Sequence, residues 1–307
     1  MPSPRYSQID IDATPYYHCI SRCVRRAFLC GDDVASGHNF DHRKGWVVEK
    51  LAELADIFAV GICAYAVLSN HFHTVLHIDA GRARAWRDDE VVARYTRLFS
   101  STRDPRAYMA PPLAAERIRC WRARLADLSW FMRCLNEEIA RRANAEDDCT
   151  GRFWEGRFRS QALLDEAGLL TCMSYVDLNP IRAGMAETLE GSDHTSIQQR
   201  LTQPAQVQGK MLKPAFGEQS STLLEITQTA YIELVTYSGQ QYRPGKGSLH
   251  AKPELVVLME RDGGDWHAAI NAIRLGYRAI GSGPKLLELA QRLRQRWMKR
   301  GRRVLAA

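Results

Sequence analysis

Apolar residues recur at helical spacing between Asp41 and Phe58, where Trp46, Val47, Leu51, Leu54, Ala55 and Phe58 share one face. The period then changes. Val60 to Leu68 and His71 to Ile78 are short apolar, strand-like runs separated by Ser69-Asn70, and the spacing predicts two strands joined as a hairpin. Tyr16 to Val24, rich in β-branched and aromatic residues, predicts an earlier strand, and Arg157 to Leu163 a fourth. Helical patterning marks Arg82 to Phe99, Leu113 to Leu128, Ser129 to Ala143 and Asp165 to Leu178. The last of these has Asp165 near its start and Asn179-Pro180 near its end. Ser100 to Pro112 holds three prolines and reads as an inserted loop.

The order strand, helix, strand, strand, helices, strand, with a further helix appended, matches the split βαβ pattern of ferredoxin-like folds. The expected fold class is therefore α+β: a ferredoxin-like domain with an antiparallel sheet over residues 1–197, carrying a helical insertion at about 100–150, and a mainly helical region over 221–307. The intervening residues 198–220, rich in Gln, Pro and Lys, read as a linker.

Composition narrows this only a little. Hydrophobic residues make up 45% and charged residues 25%, which suits a soluble protein with an ordinary core and excludes a disordered chain. A net charge of +7 permits a polyanionic partner without requiring one. The eight cysteines form no CxxC pair and read as reduced thiols, with zinc binding by Cys19, Cys23 and Cys30 the lesser reading. The N-terminus has no apolar signal core and no apolar run reaches spanning length, so a soluble, cytoplasmic protein without membrane contact is expected.

Three constellations could carry chemistry. In Asn70-His71-Phe72-His73, strand alternation puts His71 and His73 on one face about 6–7 Å apart, a spacing at which two imidazoles can share a divalent metal. The plain alternative is two ordinary histidines beside a turn; His77, two steps on, reads as a residue supporting the ligands or as structural, not as a ligand. In Tyr175-Val-Asp-Leu-Asn179-Pro180, helical spacing stacks Tyr175 and Asn179 and turns Asp177 away. A phenol, with an unperturbed pKa of about 10, needs a nearby cation or metal to act as a nucleophile at neutral pH. The plain alternative is a packed tyrosine near a helix end capped by Asn179. In Gly151-Arg-Phe-Trp-Glu-Gly-Arg-Phe-Arg159, three arginines alternate with three aromatics. Arginines suit phosphates and rings suit unpaired bases, so Arg152, Arg157 and Arg159, with Arg22, Arg25 and Arg26 after the first strand, are candidate DNA contacts. A half-buried strand with a solvated arginine face is the alternative.

In combination the segments Tyr17-His-Cys-Ile-Ser-Arg22, Ala64-Tyr-Ala-Val-Leu-Ser-Asn-His-Phe-His-Thr-Val-Leu76, Phe153-Trp-Glu-Gly-Arg-Phe158 and Tyr175-Val-Asp-Leu-Asn-Pro-Ile-Arg-Ala-Gly184 resemble the single-tyrosine HUH transposases, the REP-associated tyrosine transposases most of all. The resemblance covers roughly residues 14 to 195. It implies a ferredoxin-like catalytic domain, a metal pair at His71 and His73 completed by Asn179, a nucleophile at Tyr175, and Mg²⁺ or Mn²⁺ as cofactor. The implied partner is single-stranded or hairpin DNA in a nucleoid-associated setting, and monomer and homodimer both stay open. Two rival readings are a non-catalytic ferredoxin-like nucleic-acid-binding protein and a metal-dependent hydrolase.

The C-terminal stretch lies outside those motifs. From Lys285 to Arg303 there are eight basic residues and one acid, and Leu286, Leu287, Leu289, Ala290, Leu293 and Trp297 recur at helical spacing. A helical pattern over Asp265 to Ile280 and a Gly281-Ser-Gly-Pro284 turn permit a helix-turn-helix, and the favoured reading is an accessory DNA-binding module; the plain alternative is a packing helix with a solvated basic face.

Overall fold

The computed structural model describes residues 4–24, 29–32, 37–98, 114–218, 224–240, 242, 251–260, 264–296 and 298. Strand β1 (Tyr16–Arg22) runs into helix α1 (His42–Ile57), which returns the chain to the hairpin of β2 (Val60–Val67) and β3 (His71–Ile78). Then follow α2 (Ala80–Ala85), α3 (Asp88–Arg97), α4 (Ala114–Arg124), α5 (Leu128–Glu146), β4 (Arg159–Leu163), α6 (Glu166–Asp177) and α7 (Asn179–Arg182). The remainder comprises α8 (Ser196–Leu201), α9 (Ala205–Gln208), α10 (Gln228–Gln240), α11 (Glu254–Glu260), α12 (Trp266–Ala272), β5 (Ala279–Ile280) and α13 (Gly283–Arg292). No helix among the described residues is long and apolar enough to cross a membrane.

The sheet order is β2-β3-β1-β4-β5. Its first four strands pair antiparallel, with β1 between β3 and β4, as a ferredoxin-like sheet requires. The fold is α+β, as the element order predicts. The sheet departs from the purely antiparallel expectation at one edge: β5 pairs parallel with β4, so the sheet is mixed. The outer edge of β4 would otherwise hold unpaired backbone groups, and Ala162 N–H and Leu164 N–H donate to Arg278 O and Ile280 O.

Strand alternation divides the core into two layers. Tyr17, Cys19, Phe72 and Leu76 face α1 and α5, meeting Val47, Leu51, Leu54, Phe131 and Leu135. Val75, Ala64, Ala66 and Leu163 face the other way, onto Leu169, Met173 and Val176 of α6. Helix starts follow local capping: Asp127 accepts from Trp130 N–H and Asp165 from Gly168 N–H, each satisfying an otherwise orphaned donor. The single helix expected over Arg82 to Phe99 is two, α2 and α3. The chain is extended at Trp86, whose ring is buried under the Arg94 guanidinium.

Three expectations for the second half change. Residues 198–218, read as linker, are anchored to the sheet at three points although about half of them are exposed. Arg200 is fully buried and donates to Cys63 O and Lys213 O, both at 2.9 Å, while Leu212 is buried and Phe216 bridges to Ile62 at the edge of β2. Secondly, α10 and α12 bury Tyr231, Leu234, Val235, Trp266 and Ile270 in the same core layer as α6. Thirdly, α12 and α13 do not form a helix-turn-helix, because β5 stands between them. The apolar face of α13 turns Leu286 and Leu289 into the core, its helix ends at Arg292, and Arg292 pairs with Asp10 at 2.8 Å. Trp297, Lys299, Arg300 and Arg303 lie outside the described residues, as does the proline-rich loop over 100–112.

Trp266 is fully buried and its indole N–H donates to Ser238 Oγ at 2.8 Å. Trp266→Ala is expected to lower the unfolding free energy by about 3–5 kcal/mol, read by urea denaturation. A chain cut at residue 220 loses this packing and the β5 edge together. It is expected to show no cooperative thermal transition, whereas a freestanding catalytic domain would keep one.

Candidate active site

The α6-facing side of the sheet carries a line of polar side chains on strands otherwise apolar there. His71 lies opposite Arg22, Ile20 lies opposite both His73 and Arg159, and His18 lies opposite both Val75 and Gln161. All of these inward positions share one face because side chains alternate along each strand. Burial grades along the face. His18, His73 and Gln161 are buried, Ile20 and His71 are half-buried, and Arg22 and Arg159 are exposed, so the site opens at one end of the sheet.

Helix α6 lays Tyr175 over this face. The rings of His71 and His73 are 4.9 Å apart, and Tyr175 meets His73 edge-on at 5.7 Å and His18 at 6.1 Å. The Arg182 guanidinium, one turn past α6, stands 4.6 Å over the Tyr175 ring. Asn179 is buried and its Nδ2 has no hydrogen-bond partner. Asp177 points away, as helical spacing predicts. It accepts from Tyr231 Oη at 2.5 Å, from Ile197 N–H at 3.0 Å and from Ser196 Oγ, tying α6 to α8 and α10.

Both imidazoles are oriented through one nitrogen each. His71 Nδ1 meets Asn70 Oδ1 at 2.5 Å, and His73 Nδ1 meets His18 Nε2 at 2.8 Å. His73 Nε2 is buried with no hydrogen-bond partner. Burial, then the Arg22 charge, holds the His71 pKa down to about 4; burial, then His18, His71, Arg22 and Arg182, holds His73 well below its ordinary value. Both rings are thus neutral with a lone pair available. Imidazole nitrogens with an amide oxygen form a donor set that fits Mn²⁺ and, less strongly, Mg²⁺. Among the described residues no group of three His, Cys, Asp or Glu side chains is placed to hold a metal. That includes the cysteine alternative, and no disulfide joins any of the eight cysteines.

The arginine-aromatic segment divides. Arg152, Arg157 and Arg159 are exposed, but Phe153, Trp154 and Phe158 are 2%, 9% and 8% exposed and belong to the core. Trp154 packs edge-on against Phe72 at 5.6 Å and its N–H donates to Asn136 O. These rings present no face to a base, which corrects the stacking role expected of them. Arg25 and Arg26 lie outside the described residues. His77 stacks on Tyr16 at 4.7 Å, in agreement with a structural role. Three residues escaped the sequence reading: His18, Gln161 and Arg182. A polar residue at an inward position of an apolar strand was the available signal for the first two.

No protein-family model and no curated protein matches the chain. Among solved structures, it is similar to a REP-associated tyrosine transposase bound to a REP hairpin, with a TM-score of 0.41 and 12% identity over 74% of this chain and 97% of that one.

Titration on the two sides of α6 works in opposite directions. His18 and His71, held down to about 4, contribute stability that is present above about pH 6.5 and lost as pH falls toward 4. Asp177, pushed up to about 6 by burial, contributes stability that is present below about pH 4 and lost as pH rises through 6. Asp177→Asn removes the opposing contribution, so the metal-free variant is expected to lose more stability than wild type between pH 7 and pH 4. Urea unfolding at the two pH values compares them.

Proposed function

We propose that this chain cuts and rejoins single-stranded DNA by transesterification, with Tyr175 as covalent nucleophile and His71, His73 and Asn179 holding a divalent Mg²⁺ or Mn²⁺. The observation that carries the reading is the placement of Tyr175, itself buried, 5.7 Å from His73, whose neighbour His71 lies toward the end of the sheet where Arg22 and Arg159 are exposed. A bound divalent ion supplies Lewis acidity at the scissile phosphate. Tyr175 Oη forms a bond to phosphorus as the bond from phosphorus to the 3′ oxygen breaks. The phenolic proton leaves, the 3′ oxygen takes one up, and a 5′-phosphotyrosine remains. Attack by a 3′-hydroxyl on that linkage reverses the step and frees Tyr175.

Hairpin DNA with a single-stranded flank is the substrate class this reading favours. Arg22 and Arg159 reach phosphates on either side of Ile20, and Arg157 extends the basic rim. The rival reading, a passive nucleic-acid platform, needs an open sheet face with exposed aromatics. Here α1 and α5 cover one face and α6 the other, and the candidate aromatics are core residues.

A labelled hairpin oligonucleotide incubated with the protein and Mn²⁺ is expected to give an adduct that survives denaturation. Tyr175→Phe keeps DNA affinity and forms no adduct; an adduct in that variant would sink the proposal. His71→Ala and His73→Ala are each expected to slow adduct formation by about 100-fold or more, and EDTA to stop it in wild type. Arg157→Ala and Arg159→Ala are expected to lower the salt slope of binding by about one for each phosphate no longer neutralised. Unchanged slopes in both would leave these arginines as a solvated face.

A further inference from the structure

Gln161 and His18 take no part in the reaction proposed above, yet both are buried, with Ile20 next to His18 and Leu163 next to Gln161 on the same face. Their hydrogen bonds form a chain with a defined direction. Gln161 Nε2 lies 2.7 Å from Tyr277 O and 3.5 Å from Ile273 O. Both partners are carbonyls and only accept, so this end of the amide is the NH₂ and the other end is the oxygen. That oxygen meets His18 Nδ1 at 2.6 Å. His18 Nδ1 therefore carries the proton, and the neutral ring keeps a lone pair on Nε2. His18 Nε2 in turn lies 2.8 Å from His73 Nδ1, which must be the donor. The order ends at His73 Nε2, a buried lone pair with no hydrogen-bond partner.

We infer that Gln161 and His18 are positioning residues: anchored by the Tyr277 carbonyl, they fix His73 as the Nδ1–H tautomer and leave its Nε2 lone pair facing the position beside Tyr175. The use of that lone pair as a metal ligand rests on the function proposed above; the tautomer itself does not. Without the chain of hydrogen bonds, the proton of a neutral imidazole is free to sit on Nε2, where it blocks ligation. The inference also gives the segment from Ile273 to Tyr277, outside every motif of the sequence resemblance, a part in the site.

The test uses the full-length, metal-free protein labelled with ¹⁵N-histidine. Two-bond proton–nitrogen spectra near neutral pH distinguish the tautomers, and the His73 signal is assigned by its loss in His73→Ala. Wild type is expected to show His73 protonated on Nδ1. Gln161→Met fills similar volume without an acceptor and is expected to mix the tautomers. It is also expected to weaken Mn²⁺ binding, followed by electron paramagnetic resonance of free Mn²⁺, by about 10–100-fold. Thermal midpoints recorded alongside separate this from loss of fold. A wild-type His73 protonated on Nε2 overturns the inference, even if the adduct forms and is EDTA-sensitive. So does a folded Gln161→Met variant with wild-type tautomer and Mn²⁺ affinity. If Gln161→Met does not fold, the wild-type spectrum decides alone. The expected tautomer in a wild type that takes up no Mn²⁺ upholds the hydrogen-bond chain and overturns the metal reading instead.

Discussion

The register of β1 between β3 and β4 governs everything on the α6 face. Because His18 pairs with both Val75 and Gln161, and Ile20 with both His73 and Arg159, His18 falls diagonally beside His73 and directly beside Gln161. A slip of one residue on either side would turn one partner to the opposite face, where Tyr17, Cys19 and Phe72 pack under α1. The hydrophobic division between the two layers enforces the register. Apolar packing that has no chemistry of its own thus holds three polar side chains within hydrogen-bond distance of one another.

Helix α6 completes the arrangement from above, and its orientation is set from both of its flanks. On one flank Asp177 is held by Ser196, Tyr231 and the Ile197 amide; on the other, Tyr175 lies between the imidazoles and Arg182. The helix cannot rotate to move Tyr175 without breaking a buried carboxylate out of its hydrogen bonds, which costs several kcal/mol. Tyr175 is therefore presented by a rigid element.

The parts legible in the sequence were those written in short-range pattern. The hairpin around Ser69-Asn70 and the one-face placement of His71 and His73 follow from alternation within a single segment, and the opposed directions of Tyr175 and Asp177 from a single helical repeat; Asn179 starts a separate helix, α7. What escaped was decided by partners far away in the chain. His18 and Gln161 look like unremarkable strand residues until β1 and β4 are placed side by side. Gln198 to Glu218 has the composition of a linker because few of its residues are buried: Arg200, which donates to carbonyls of Cys63 and Lys213, and Leu212. The aromatics of residues 153–158 read as a ligand surface, but Phe72 and Asn136 claim Trp154 for the core. The turn before α13 concealed a two-residue strand, too short for any periodicity to show.

Synthesis order gives β5 a further meaning. Strand β4 leaves the ribosome more than a hundred residues before the carbonyls that orient Gln161 and the strand that closes its edge, since Ala162 pairs with Ala279. A nascent chain can fold the β2–β3 hairpin and position His71 early, because those contacts are local. The proton order at His73 is settled only when Tyr277 emerges. Until residues 273–280 are made, β4 has no partner on its outer edge and Gln161 lacks the carbonyl that orients it. Completion of the site therefore waits on the synthesis of Tyr277.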